Sequence, residues 1–159
     1  MEAKRFLAVS ALVLTVAGTH LISGFEDAPS GPSLFAYLDS VGVPTICTGS
    51  TKGVFIGMLA TPGECEHRLV EDTTYAGLAV HRLVKVKLTQ EMYNSLVSFT
   101  FNCGPGALAG STLLVKLNQG NYCEAGKQFY RWDHAGGKKL RGLTIRRKTE
   151  AIPFIEECK

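Results

Sequence analysis

The sequence predicts an α+β domain: a small antiparallel β-sheet lobe, then a larger all-helical lobe, preceded by an N-terminal hydrophobic helix. Three observations carry this. Residues 35–59 are rich in Val, Ile, Thr and aromatics and are cut by Gly42 and Gly53, the pattern of short strands joined by tight turns. From Thr61 onward the pattern turns helical, with repeated start and stop signals. Before both, residues 6–25 carry no charge when His20 is neutral.

That N-terminal run follows Lys4-Arg5 and precedes Glu26-Asp27. Twenty helical residues span about 30 Å, the thickness of a bilayer core. Positive charge before and acid after would keep the N-terminus in the cytoplasm and the domain outside. Ser10, Thr15, Gly18, Thr19, His20, Ser23 and Gly24 dilute the run, so it would leave a bilayer at modest cost. A releasable signal-anchor over residues 1–25, a cleaved signal peptide and the domain's own first helix are the three readings; one segment can insert first and pack later. Residues 26–159 form the folded domain.

The loop at 27–33 (Asp-Ala-Pro-Ser-Gly-Pro-Ser) opposes helix. After the strands, Thr61-Pro62-Gly63-Glu64 is a capping box with proline at the first helical position, starting a long helix to about residue 83. Another follows Thr89, with Tyr93, Leu96, Val97 and Phe101 on one stripe, and stops at Gly104. Ser111 caps a short helix ending at Asn118-Gln119-Gly120, and Asn121 with Glu124 starts one reaching Trp132. The last begins near Leu143 and is bent or ended by Pro153.

With 159 residues the chain buries a single core. Its composition, 45% hydrophobic and 19% charged, excludes disorder. A net charge of +3, 17 basic against 14 acidic residues, suits an anionic polymer but not nucleic acid. Five cysteines fit an oxidising compartment, with Cys47–Cys65 and Cys123–Cys158 the preferred pairs and buried free thiols the alternative. The histidines are scattered, and Cys65 with His67 lacks the further ligands zinc requires. The glycines from Gly104 to Gly110 match no phosphate-binding pattern, so neither metal nor cofactor is expected.

Chemistry concentrates in Ala36-Tyr37-Leu38-Asp39-Ser40-Val41-Gly42-Val43-Pro44-Thr45-Ile46. A carboxylate in a turn, followed by a hydroxyl at a strand's start, lets two oxygens hold one water. Glu26 upstream supplies a second acid. Two acids and a water-holding hydroxyl are the minimum equipment for splitting a glycosidic bond. Each residue also has a plain structural reading: an Asp in a turn holds its own backbone, and a Thr in a strand has β propensity.

The chain resembles the phage lysozyme family (glycoside hydrolase family 24), and within it the signal-anchor-release endolysins. The resemblance rests on the 36–46 run with Cys47 and Gly49, Phe99-Thr100-Phe101-Asn102-Cys103-Gly104, Ser111-Thr112-Leu113-Leu114 and Lys116-Leu117-Asn118-Gln119-Gly120. Arg131-Trp132, Ala135-Gly136-Gly137-Lys138, Gly142-Leu143 and Arg146-Arg147 complete it. It implies a lysozyme-like fold and hydrolysis of the β-1,4 bond between N-acetylmuramic acid and N-acetylglucosamine in peptidoglycan, by a monomer held off until it leaves the host inner membrane for the periplasm. Loss of membrane potential is the trigger it suggests. Glu26 would be the proton donor, its neutral form favoured by desolvation beside Phe25. Asp39 and Thr45 would hold the attacking water, giving inversion with carboxyls about 6.5–9.5 Å apart. Phe101 and Asn102 would face the saccharide, with Phe101 nearly as good a core residue; Arg146-Arg147 would meet anionic wall polymer or pair with local carboxylates, the intramolecular role being the preferred reading.

The chain departs from the family in two places. In the family eight residues separate the two acids; here twelve lie between Glu26 and Asp39, and Ser30 stands at the shorter spacing. An insertion in the Pro/Gly-rich loop that leaves Glu26 in place is the preferred reading over a degenerate site. Ser50 stands where many relatives carry a structural histidine. A lytic transglycosylase, a lapsed peptidoglycan-binding relative and a membrane toxin are the rival functions.

Overall fold

The computed structural model describes residues 4–26 and 31–158, Glu26 by its backbone alone. The fold is α+β. A two-stranded antiparallel sheet, β1 (Ser33–Leu38) with β2 (Pro44–Cys47), makes the small lobe. The larger lobe holds α2 (Pro62–Leu83), α3 (Gln90–Cys103), α4 (Pro105–Ala109), α5 (Thr112–Asn118), α6 (Tyr122–Phe129) and α7 (Arg141–Ile155). A short hairpin of β3 (His134–Ala135) and β4 (Lys138–Lys139) precedes α7.

Local chemistry sets the helix starts. Glu64 Oε2 accepts from the Thr61 amide at 2.6 Å while Thr61 Oγ1 accepts from the Glu64 amide at 3.3 Å, so two orphan donors of α2 are met reciprocally. Thr89 Oγ1 accepts from the Met92 amide at 3.2 Å, and Ser111 Oγ from the Leu114 amide at 3.0 Å. α3 stops at Gly104, whose φ of +87° suits glycine.

Several expected boundaries move. β1 begins at Ser33, inside the stretch read as irregular loop. α6 begins after Asn121 without a side-chain cap bond and ends at Phe129 rather than Trp132. α7 starts at Arg141 and carries Pro153 inside its last turn. There the missing N–H removes only one intrahelical bond near a frayed end. α4 and the β3–β4 hairpin were not anticipated.

The charge-free run 6–25 is not one helix. It holds a 3₁₀ turn at Val9–Ala11 and then α1 (Val16–Glu26), an 11-residue helix. Leu7 makes a two-way backbone bridge with Leu88 at 2.8 Å each way, and Leu12 and Ile22 enter the core beside Val80, Leu88, Met92 and Leu96. No helix among the described residues is long and apolar enough to cross a membrane.

The main core is built by α2, α3, α5, α6 and α7, with Phe99, Phe129 and Phe154 in edge or tilted ring contact at its centre. A smaller cluster of Ile46, Cys47 and Cys65 roots the sheet on α2. Both expected disulfides are present: Cys47–Cys65 and Cys123–Cys158, with Cys103 free. α6 and α7 touch through Gly126, where a Cβ would stand 2.7 Å from Phe154 Cβ and 3.2 Å from the Ile155 amide nitrogen. Backbone cannot yield there as a side-chain tip can. Gly126→Ala is therefore expected to cost about 1–3 kcal/mol of stability by overpacking, read as a lower urea midpoint with unchanged slope.

Candidate active site

The β1–β2 turn is organised by one carboxylate oxygen. Asp39 Oδ1 accepts from the amides of Val41 at 2.9 Å and Val43 at 2.8 Å. The backbone closes the same turn, with the Asp39 amide donating to Val43 O and the Gly42 amide to Asp39 O, both at 3.0 Å. Gly42 sits at φ +83°, the conformation this turn requires and most side chains avoid. The structural reading of Asp39 is thus fulfilled by Oδ1 alone. Among the described residues Oδ2 takes no hydrogen bond.

Thr45 lies opposite Tyr37 in the strand pair and is 4% exposed. Its hydroxyl donates to Val43 O at 3.0 Å. The proton of Thr45 is thereby committed, so its oxygen faces any further partner as an acceptor. Val43 is the shared strut: its N–H fixes Asp39 and its carbonyl fixes Thr45. Asp39 and Thr45 thus share one residue, Val43, as a hydrogen-bond partner.

At the end of β2, Cys47 adopts φ +57°, tied to α2 by its disulfide, and the 48–49 turn closes with paired Ile46–Ser50 backbone bonds at 2.9 and 3.0 Å. Ser50 is buried and its Oγ accepts from Arg68 Nη1 at 3.4 Å, a structural contact between turn and helix. A cleft of about 220 Å³ runs from Gly49 across to Thr100, Phe101 and Gly104 at the end of α3. Phe101 is half-buried: it lines this cleft and also packs on the main core. A larger hollow of about 670 Å³, between Lys52 and the first turns of α2, contains none of the predicted site residues.

Asn102 is exposed, and its Oδ1 accepts from Arg147 Nη2 at 3.0 Å, which turns its amide hydrogens away from that partner. Arg147 is fully buried, with its guanidinium 5.0 Å from the Phe99 ring centre and Nη1 2.9 Å from Cys103 Sγ. Burial pushes the Cys103 thiol up, against the pull of that guanidinium. Arg146 Nη2 donates to Ser98 O at 3.0 Å, its Nε donates to Glu150 Oε1 at 3.1 Å, and it covers the Phe25 ring at 5.2 Å. The two arginines are intramolecular, as expected. The Glu150 and Ser98 that receive them were not singled out, although Arg146 and Glu150 stand four residues apart on one helix face.

Phe25 is the residue before Glu26. Stacking it on Arg146 fixes the C-terminal end of α1 against α7, on the helical side of the site. The Glu26 side chain, and Asp27 and Ser30 of the longer loop, lie outside the described residues. Among the described residues no three metal-binding side chains converge.

Against known proteins, a family model described as phage lysozyme matches residues 29–150. The chain is 38% identical over 126 residues to a SAR-endolysin of Enterobacteria phage P21, covering 79% of this chain and 76% of that protein. It is 40% identical over 130 residues to the endolysin of Salmonella phage P22, covering 79% and 88% respectively. The solved endolysin from Escherichia coli O157:H7 phage FAHEc1 superposes with a TM-score of 0.76 at 34% identity, over 92% of this chain and 96% of that one. The likeness spans both lobes and the hairpin that carries Asp39 and Thr45, and on that breadth the chain belongs to the phage lysozyme family.

Proposed function

We propose that this chain is an endolysin that hydrolyses the β-1,4 bond between N-acetylmuramic acid and N-acetylglucosamine in bacterial peptidoglycan, lysing the host cell. The observation that carries this is the divided carboxylate of Asp39. One oxygen is spent on the turn and the other is left without a partner among the described residues, while the hydroxyl of Thr45, held by the same Val43, has a committed proton. Such an anion can take a proton from water as it attacks, and Thr45 can accept that water's second hydrogen. Glu26, at the end of α1, donates a proton to the leaving glycosidic oxygen from the opposite side of the sugar, so the product has inverted configuration. Phe101 offers an apolar platform in the cleft, and the Asn102 amide, held through Arg147, presents donors to sugar hydroxyls.

Residues 1–25 serve as a releasable anchor and 26–159 as the catalytic domain. In the host inner membrane the cleft lacks its first helix; after release to the periplasm the segment packs as α1 and delivers Glu26. The SAR-endolysin names of the phage relatives support this order of events.

Digestion of purified murein with analysis of the new ends tests the reaction. Reducing ends of inverted anomeric configuration, absent with Glu26→Gln, are the expected result. Anhydro-sugar ends would instead assign a lytic transglycosylase, and binding without new ends a lapsed enzyme.

A further inference from the structure

The break in the N-terminal run is held by side chains from far along the chain. In a continuous helix the carbonyls of Leu12 and Val13 would accept from the amides of Val16 and Ala17. Here α1 begins only at Val16, and both carbonyls have other partners. His81 Nε2, from α2, stands 2.8 Å from Leu12 O, and Gln90 Nε2, at the start of α3, donates to Val13 O at 2.8 Å. One turn on, Asn94 Nδ2 donates to Thr15 Oγ1 at 2.8 Å, while its Oδ1 accepts from Gln90 Nε2 at 3.1 Å and from the Thr15 amide at 3.4 Å. The Thr15 hydroxyl in turn accepts from the Gly18 amide at 3.3 Å and so caps α1.

The fit is close. Asn94 is 7% exposed, and a Cβ on Gly18 would stand 2.7 Å from its Oδ1. The His81 ring is braced by Tyr93 at 5.3 Å between centres.

We propose that His81, Gln90 and Asn94 form a polar dock for the backbone break at residues 12–15, and that they are positioning residues for Glu26. The dock exchanges places with the helix's own hydrogen bonds. In a bilayer a chain must satisfy its backbone internally, so residues 12–15 are helical there. In water the three side chains take over the freed carbonyls and the Thr15 hydroxyl, the break becomes the stable form, and the start of α1 is set. The position of its last residue, Glu26, follows. This rests on the reading of Glu26 as the acid and of residues 1–25 as a releasable anchor.

The test uses the full chain on vesicles of phosphatidylethanolamine and phosphatidylglycerol carrying a potassium diffusion potential. The potential is collapsed, and the vesicle-bound to free ratio is measured by flotation, with murein hydrolysis of the free fraction measured alongside. Gln90→Glu removes the donor to Val13 O yet places an acid in the first turn of α3, where the helix dipole favours it, so the fold is not weakened. The bound-to-free ratio should rise about two- to tenfold, as expected for the loss of one solvent-exposed hydrogen bond, with the thermal midpoint of the free form unchanged. Gln90→Lys, which restores a donor, should return the ratio towards that of the parent chain. Asn94→Ala should raise the ratio further and lower kcat on murein more than it raises KM, because it moves the acid rather than the saccharide surface. A Gln90→Glu chain that leaves vesicles like the parent, or a lysine variant that rescues nothing, overturns the dock while leaving the hydrolase intact. A parent chain that moves between vesicle and water as expected, with Gln90→Glu shifted, but cuts no murein overturns the proposed function and leaves the dock standing.

Discussion

Asp39→Asn should lower murein hydrolysis by about 10²–10⁴-fold while shifting stability by less than about 1 kcal/mol. The substitution is informative because the proposed function gives the carboxylate two separable tasks. Its Oδ1 accepts two backbone amides, and an asparagine carbonyl can accept both with the same reach. Oδ2 becomes an NH₂ group, which carries no negative charge and cannot take a proton from water. Turn and catalysis therefore come apart in one variant. Asp39→Ala, by contrast, leaves the Val41 and Val43 amides without their acceptor and should lose activity together with about 1–2 kcal/mol of stability. Reducing-end assays and thermal melts on the same preparations decide it. An asparagine variant with undiminished turnover would reduce Asp39 to a turn residue and remove the proposed base.

Elements with local causes were legible in the sequence. The Thr61-Pro62-Gly63-Glu64 box fixes the start of α2 because both capping bonds lie within four residues. The same holds for Thr89, Ser111 and the stop at Gly104. Asp39 and Thr45 were legible as a spacing, although nothing in the spacing showed that Val43 is the strut between them. The β3–β4 hairpin left a signal that was passed over. Gly136 and Gly137, at φ +56° and +75°, make the two-residue turn that a glycine pair between short strands announces. The break in the first helix left none. Its partners His81, Gln90 and Asn94 lie 69 to 79 residues away, so hydropathy along the run reads as one span. Glu150 was hidden for a related reason, since a glutamate on an Arg-rich helix reads as a surface charge until its neighbours close over it.

That glutamate carries the largest expected effect on stability. Glu150 is fully buried between two arginines that are themselves buried. Its Oε1 accepts from Ser98 Oγ at 2.6 Å, Arg146 Nε at 3.1 Å and Arg147 Nη2 at 3.1 Å. Oε2 lies 2.9 Å from Arg147 Nε, but the angle is too poor for a hydrogen bond, so that contact is Coulombic alone. Burial pushes the Glu150 carboxyl up, and the two guanidiniums pull it back. Glu150→Ala leaves the buried Arg147 guanidinium without the carboxylate it faces and takes from Arg146 the acceptor of its Nε, at an expected cost of about 3–5 kcal/mol. At about 2–4 °C per kcal/mol for a domain of this size, the melting midpoint should fall by roughly 10 °C. Activity should follow the geometry, because the network reaches two positions on the helical side of the proposed site: Arg146 covers Phe25 next to Glu26, and Arg147 orients Asn102. Glu150→Gln, which keeps two acceptor lone pairs near the arginines but no charge, should fall between the parent and the alanine variant. Equal melting of all three would mean that the arginines find water when the carboxylate is gone, and α7 would then be held to α3 by its apolar contacts alone.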